Sequence, residues 1–450
     1  MLHIEKKPKN GITRKQPFAS GTAESQFFRI PGIISLDNGT LVASCDARWN
    51  HDGDGAGLDT LVSCSNDNGK TWNYTFANYL GDNGNCYHDL STSFIDPAIA
   101  TDGKTVYLLA DLFPAGIALN TSRYQPIAGQ NGLDDNGNLK LRLLSKDKCK
   151  IGEENYHLSA GEADYAFYLD MNDYFIYSYQ DQKKVDHYTV DSLFNIRGRD
   201  GTNSNLFFAD SPFQPYPTDY LYLTSSTDGI HWSAPQLLNL KRQEEQTLLV
   251  GPGNGTFDVQ NQRLIFTAYE FTNGFQRTCL IWMDKQKQWH RTSNATKEQW
   301  SSEATAVLLK NGNVRCFYRD QRTTIHYTDY IWNTEQNNYV PFNETDTGVP
   351  KTYGNQLSAI LYSQSQGGKE LILISTATGE GRNRTKGVIY TFSVEPDGQM
   401  QLLHQYSVND GKFGYSCLCE MQDGNIALLY EHDDAAITFT TISINDVLKD

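Results

Sequence analysis

Arg29-Ile30-Pro31-Gly32-Ile33-Ile34-Ser35-Leu36-Asp37-Asn38-Gly39-Thr40-Leu41-Val42-Ala43-Ser44-Cys45-Asp46-Ala47-Arg48 is an apolar strand, a tight glycine turn and a second apolar strand, closed by a charged residue. Asn-Gly between apolar runs is a strong hairpin signal, because type I′ turns demand positive φ. The same unit returns at Ile95–Asp111 (turn Asp102-Gly103), Gly253–Glu270 (less regular, near Gln260-Asn261) and Glu303–Arg319 (Asn311-Gly312). It returns again at Gln356–Thr376 (Gly367-Gly368) and Tyr415–Glu431 (Asp423-Gly424), making six in all.

A second kind of hairpin lies between them. Residues 60–76 hold Ser65-Asn66-Asp67-Asn68-Gly69-Lys70-Thr71-Trp72, with the spacing Ser-x-Asp-x-Gly-x-Thr-Trp. Such a box ties down a turn while its Trp packs beneath, so it reads as structural rather than catalytic. Ser225-Ser226-Thr227-Asp228-Gly229-Ile230-His231-Trp232 keeps the Ser, Gly and Trp spacing with Thr where the acid belongs; Met283 to Trp289 and Val394 to Met400 read as further worn copies. Two alternating hairpins repeated about six times predict an all-β, six-bladed β-propeller of four-stranded blades. The final strand, 436–444, would need a partner near the N-terminus to complete the last blade. Residues 1–115 and 206–450 form the expected propeller, and the Tyr-rich text of 116–205 an inserted β-rich subdomain.

The 450 residues carry a net charge of -15, from 53 acidic and 38 basic groups, which argues against nucleic acid as a partner. A few focused arginines can still select a small anion within a diffuse negative field. No apolar run approaches the ~20 residues of a membrane-spanning helix. Met1 to Lys15 is polar and basic, so the chain as written reads as cytoplasmic, or as secreted if a leader has been removed. Most of the 8 cysteines lie in strand-like runs and are expected to be reduced core thiols; Cys417 and Cys419 lack the histidine spacing of a zinc site. Asp52, Asp54 and Asp59 cluster in a Gly-rich loop, but the helix-flanked calcium-loop pattern is absent.

The charged ends of the hairpins are where propeller strands collect at one rim. Arg29, Asp96, Glu303, Arg319 and Tyr415 sit there, a set too polar for simple core. Taken together, Phe28-Arg29-Ile30-Pro31, free Asp54 and the Asp box at 65–72 resemble the bacterial sialidases, across 27–113 and 206–440. The resemblance implies that Arg29, Arg319 and Arg384 bind the carboxylate of a sialic acid, with Arg382 as the rival third arginine. It implies Tyr415 as nucleophile, Glu303 as its base and Asp54 as the acid/base, with Asp46 and Asp89 as weaker rivals for that last role. A carboxylate on the anomeric carbon would repel an Asp or Glu nucleophile, and sialidases are the tyrosine exception among glycosidases. Arg48 and Asp96 resemble residues contacting the sugar's 4-hydroxyl, and Ile95 one lining the N-acetyl pocket.

The resemblance implies hydrolysis of terminal sialic acid from sialylated glycans with retention, by a monomer needing no metal or organic cofactor. Some relatives are intramolecular trans-sialidases, in which a Trp about twenty residues after the nucleophile shuts out water. Asp434-Ala435-Ala436-Ile437 stands in that region here, so simple hydrolysis is the expectation. The alternatives are such a transferase, or a sialoside-binding propeller without turnover.

Overall fold

The computed structural model describes residues 10–55, 57–80, 92–119, 124, 126–143, 150–151, 154–155, 165–297, 299–432 and 436–449. Among them the only helical elements are the short α-helix Ile444–Val447 and a 3-10 turn at Thr22–Glu24; the rest is strand and connection, as the hairpin text predicts.

Six sheets follow the six hairpin units in chain order. The first runs from Phe28–Ser35 through Leu41–Ala47 and Asp59–Ser65 to Thr71–Asn78. The fourth (Ser301–Leu308 to Asn338–Pro350) and fifth (Ser358–Gln366 to Met400–Lys412) are plain four-stranded meanders, and the sixth (Ser416–Glu420 to Ile437–Ile442) has three strands. Leu41–Ala47 and Asp59–Ser65 are buried at every position instead of alternating. A strand packed on both faces has no solvent side to reserve for polar residues.

The core clusters explain that burial. Leu41, Ala43 and Cys45 of the first sheet pack with Cys417, Leu429 and Phe439 of the sixth. Ile34, Val42 and Val62 pack with Ile99 and Leu108 of the second. The second and third, third and fourth, fourth and fifth, and fifth and sixth sheets each share a cluster in the same way. The first strands also lie side by side, Phe28–Ser35 touching both Ser93–Thr101 and Ser416–Glu420. Because these neighbours do not form a ladder, side chains satisfy their backbone. Leu418 donates its amide to Ser358 Oγ (3.0 Å), Gln356 exchanges bonds with Ser416, and Asn254 Nδ2 reaches Leu418 O (3.0 Å). The approach is close enough that a Cβ on Gly32 would meet Gly253 O at 2.8 Å.

The structure corrects four local expectations. The third sheet has no continuous first strand: Thr247–Val250 and Thr256–Asp258 both pair with Arg263–Thr272, while Gly253–Asn254 leaves to run parallel to Ser93–Thr101. At Asn38-Gly39, Asn311-Gly312 and Asp423-Gly424 only the glycine has positive φ. There the Gly39 amide bonds Leu36 O and the Leu36 amide bonds Thr40 O, the three-residue loop ending in a left-handed residue rather than type I′; only Gly367-Gly368 is left-handed at both positions. The N-terminal strand Gly11–Arg14 adds to the outer edge of the first sheet, and among the described residues the sixth gains only a single bridge, Phe18 to Ile437. The 226–232 turn has not lost its acid. Asp228 accepts from Ser226 Oγ (3.0 Å) and from the Ile230 and His231 amides (2.8 Å each), as Asp67 does for Ser65, Lys70 and Thr71, in a turn one residue shorter.

Residues 139–215 supply three smaller sheets. Their Leu139, Phe167, Tyr188 and Ile196 share one core with Phe94, Leu112 and Tyr222 of the second sheet. Cys45, Cys64, Cys279, Cys316, Cys417 and Cys419 are buried and unpaired; Cys86 and Cys149 lie outside the described residues.

Candidate active site

Three first strands carry the same irregularity. Register slips by one residue between Arg29 and Gly32, between Ile95 and Ala98, and between Ser301 and Ala304. A bulge re-aims the side chains beside it, and these three carry Arg29, Asp96 and Glu303. Phe28-Arg29-Ile30-Pro31 and Phe94-Ile95-Asp96-Pro97 are one motif used twice, with the residue before proline at positive φ in both (Ile30 63°, Asp96 57°). For β-branched Ile30 that conformation is strained and must be held by its surroundings.

Glu431 holds it. Its Oε1 accepts the Ile30 amide (3.0 Å) and Arg29 Nε (3.1 Å), while Oε2 accepts the Tyr415 amide (3.1 Å) and Arg29 Nη2 (3.4 Å). Burial opposes its ionisation, but Arg29, the two amides and Arg384 keep its carboxyl below the usual range. One buried carboxylate thus fixes a guanidinium, a strained strand and the start of the sixth hairpin.

Tyr415 is 4 % exposed and donates its hydroxyl to both oxygens of Glu303, at 2.7 and 2.6 Å. Arg319 Nη1 donates to the same phenol oxygen (2.7 Å) and to Glu303 Oε2 (2.9 Å). The guanidinium carbons of Arg384 and Arg29 lie 4.9 and 5.4 Å from the Tyr415 ring centre. Arg29, Arg319 and Arg384 therefore converge on one phenol. Burial and the Glu303 charge raise the Tyr415 pKa, and the three arginines oppose them. The phenol is protonated at rest, with the Glu303 carboxyl group already bonded to it. The Arg382 guanidinium carbon lies instead 5.0 Å from the centre of the Tyr353 ring.

Asp54 is the most exposed acid here, at 39 %, and is held by Arg48 Nη1 (2.6 Å) and Arg29 Nη1 (3.3 Å). Burial works against its ionisation, yet Arg48 and Arg29 pull its pKa below the ordinary carboxylate value. Arg48 itself has no exposed side-chain surface: it also bonds Asp46 Oδ2 (2.8 Å) and the carbonyls of Asp52 (2.8 Å) and Gly53 (3.1 Å). Asp46 is fully buried, and desolvation raises its pKa to about 7 against the pull of Arg48. Asp96 is 5 % exposed; burial, then the charges of Glu303, Asp46 and Asp54, push it well above the carboxylate range. Ile95 packs with Leu58, Phe113, Leu249 and Tyr269 beside this cluster. Asp89 lies outside the described residues.

Asp59 is committed to the Trp49 indole (3.0 Å) and the Leu80 amide (3.1 Å), so it does not join Asp54 around a cation. Among the described residues no three His, Cys, Asp or Glu side chains converge as a metal site requires. Among the described residues no helix is long and apolar enough to cross a membrane.

Glu431 is the site residue that the hairpin text alone does not single out, although a signal for it is present. Glu303 and Arg319 face each other across the fourth hairpin, and Tyr415 and Glu431 face each other across the sixth in the same way.

The BNR repeat-like domain family matches residues 205–430. Sialidase B of Streptococcus pneumoniae is 28 % identical over 482 aligned residues, covering 96 % of this chain and 67 % of that protein. The anhydrosialidase of Macrobdella decora is 27 % identical, covering 96 % of this chain and 61 % of its own length, so this chain spans about two thirds or less of these two relatives. The structure of the intramolecular trans-sialidase from Ruminococcus gnavus with oseltamivir carboxylate superposes with a TM-score of 0.81 at 25 % identity, covering 97 % of this chain and 98 % of that one.

Proposed function

We propose an activity from the premise that this chain belongs to the BNR repeat-like domain family and to the bacterial sialidases, which are glycoside hydrolases. The activity is exo-α-sialidase: release of terminal sialic acid from glycans with retention, through a Tyr415 intermediate. The observation that carries it is the phenol of Tyr415 donating to both oxygens of Glu303 beneath Arg29, Arg319 and Arg384.

The substrate carboxylate occupies the three guanidiniums and takes Arg29 Nη1 from Asp54. The phenol oxygen attacks C2 while Glu303 takes its proton, so no free phenolate is needed at neutral pH. Asp54 protonates the departing glycosidic oxygen. Losing Arg29 and gaining a neighbouring anion both raise its pKa, so substrate binding itself makes it an acid. In the second half, Asp54 takes a proton from water and the water oxygen bonds to C2 as the bond from C2 to the Tyr415 oxygen breaks; Glu303 returns its proton to the departing phenolate. Asp96, kept neutral by burial, is suited to the 4-hydroxyl, with Ile95 beside the N-acetyl group; Arg48 acts through Asp54. The six sheets, with core between each successive pair, support the six-bladed reading, and residues 116–205 the reading of an insert packed on the second blade.

A second reading shares every step but the last: the sugar's own hydroxyl attacks C2 and an anhydro sugar leaves. The names of the leech and Ruminococcus relatives favour it, and the alanine at 436 favours water. Incubation with a sialyl lactoside and mass spectrometry decides, since the anhydro product is lighter by one water. If no sialoside is cleaved, the activity is wrong in both forms.

A further inference from the structure

Beside the phenol, a cavity of about 290 Å³ opens between the fourth and fifth sheets, walled by Arg319, Arg384, Arg382, Tyr353 and Trp300, with Asp320 at its edge. Its charges do not balance. Arg319 is paired with Glu303. Asp320 is neutralised by Lys351 Nζ (2.7 Å) and Arg322 Nε (2.6 Å). Arg384 has one long bond to Gly354 O (3.5 Å), and among the described residues Arg382 has no carboxylate partner, only the face of Tyr353. Among the described residues, two guanidiniums bonded to no carboxylate thus line one cavity, Arg384 feeling the Glu431 and Asp54 charges only at a distance, in a chain with 53 acidic residues against 38 basic ones. Acids are abundant, so the scarcity is local.

The wall is also fixed in place. The Tyr353 amide bonds Gly381 O (3.0 Å), the Thr352 amide bonds Ala377 O (2.8 Å), and Thr352 Oγ1 bonds Gly379 O (2.9 Å). These bonds strap the arginine loop to the segment carrying Tyr353. Tyr353 and Trp300 are only partly buried where they line the cavity, and Arg382 lies over one face of the Tyr353 ring. A sugar ring packs on such faces while a guanidinium takes its acid group.

We propose that this cavity is a subsite for an anionic penultimate residue, a second acid sugar whose carboxylate binds Arg382 and whose ring packs on Tyr353 and Trp300. This rests on the sialidase reading above: one carboxylate occupies Arg384 with Arg29 and Arg319, and Arg382 is left for another. The preferred glycans therefore end in two acid sugars linked to each other, rather than in one acid sugar on a neutral hexose.

The test compares kcat/KM for the terminal bond of a disialyl lactoside, a monosialyl lactoside and a monosialyl lactoside sulfated on galactose, with an aryl sialoside as reference. Wild type is expected to favour the disialyl substrate over the neutral one. Arg382→Gln is expected to cut that ratio about tenfold through KM, the return of one charge-assisted hydrogen bond, with Arg382→Lys restoring part of it. A ratio unchanged in Arg382→Gln overturns the proposal, as does a preference for the sulfated substrate alone. Turnover of the aryl sialoside in either case leaves the sialidase reading standing; no turnover of any substrate by wild type sinks that reading first.

Discussion

Replacing Glu431 by glutamine tests how the site is held. The carboxylate accepts four bonds, two from Arg29 at 3.1 and 3.4 Å and two from the Ile30 and Tyr415 amides at 3.0 and 3.1 Å. A glutamine has one acceptor oxygen, so it serves at best two of these donors and turns an NH₂ toward the other two. Leaving a buried donor unmet costs about 1–3 kcal/mol, which puts the loss near ~4 kcal/mol for the pair. Part appears as stability and part as activity, because the Ile30 amide bond is what keeps a β-branched residue at φ 63°. If about half falls on the site, kcat/KM drops roughly 30-fold or more at ~1.4 kcal/mol per decade. Chemical unfolding and sialoside kinetics on the same preparations read both parts. A variant that unfolds at the wild-type denaturant concentration and keeps kcat/KM within threefold would refute the claim that this carboxylate organises the centre.

Three other outcomes follow from the geometry. Tyr415→Phe removes the attacking oxygen while keeping the buried ring, and kcat should fall at least about a thousandfold with folding intact by circular dichroism; Glu303→Gln, which keeps an acceptor but no base, should lose about 10²–10⁴. Asp54 must be protonated to act as an acid, so activity is lost as pH rises through its pKa. Arg48 and Arg29 depress that pKa in the free protein, and bound substrate relieves it. The alkaline limb of kcat should therefore lie at higher pH than that of kcat/KM, and coincident limbs would contradict the hand-over of Arg29. Asp67→Ala unties the 65–72 turn, where Asp67 accepts from Ser65, Lys70 and Thr71; Tm should fall by about 2 °C while kcat/KM on an aryl sialoside stays at the wild-type level.

Much of the site is legible in hairpin text because a hairpin fixes which residues oppose one another. Glycine turns between apolar runs mark the strands, and with them the facing of Glu303 by Arg319. The same rule applied to Tyr415 points to Glu431, and applied to Arg29 points to Asp46, which is its partner in the ladder. Glu431 does not stand out in the sequence, and Asp46 reads there only as a weaker rival for the acid/base role, because a carboxylate ending an apolar strand looks like a solvated terminus until the neighbouring sheet buries it. The bulges are hidden for a related reason. An extra residue leaves the apolar pattern nearly intact and shows only as proline after Ile30 and Asp96. The short turn at 226–232 misleads when a fixed spacing is matched, whereas the chemistry needs only an acid two residues after a serine. The split first strand of the third sheet has no local signal: Gly253–Asn254 leaves for the second sheet along Ala98 and Ile99, a long-range pairing.

Most depends on which atom bonds to the sugar. A sialosyl fluoride carrying a second fluorine beside the anomeric carbon forms its enzyme adduct faster than the adduct breaks down. Peptide mass spectrometry after brief exposure then locates the bond. The predicted result is one sugar per chain on the peptide containing Tyr415, at the phenol oxygen, and no label in Glu303→Gln over the same interval. A label on Asp54 or Glu303, or rapid turnover with Tyr415 unmodified and replaceable by phenylalanine, would contradict it.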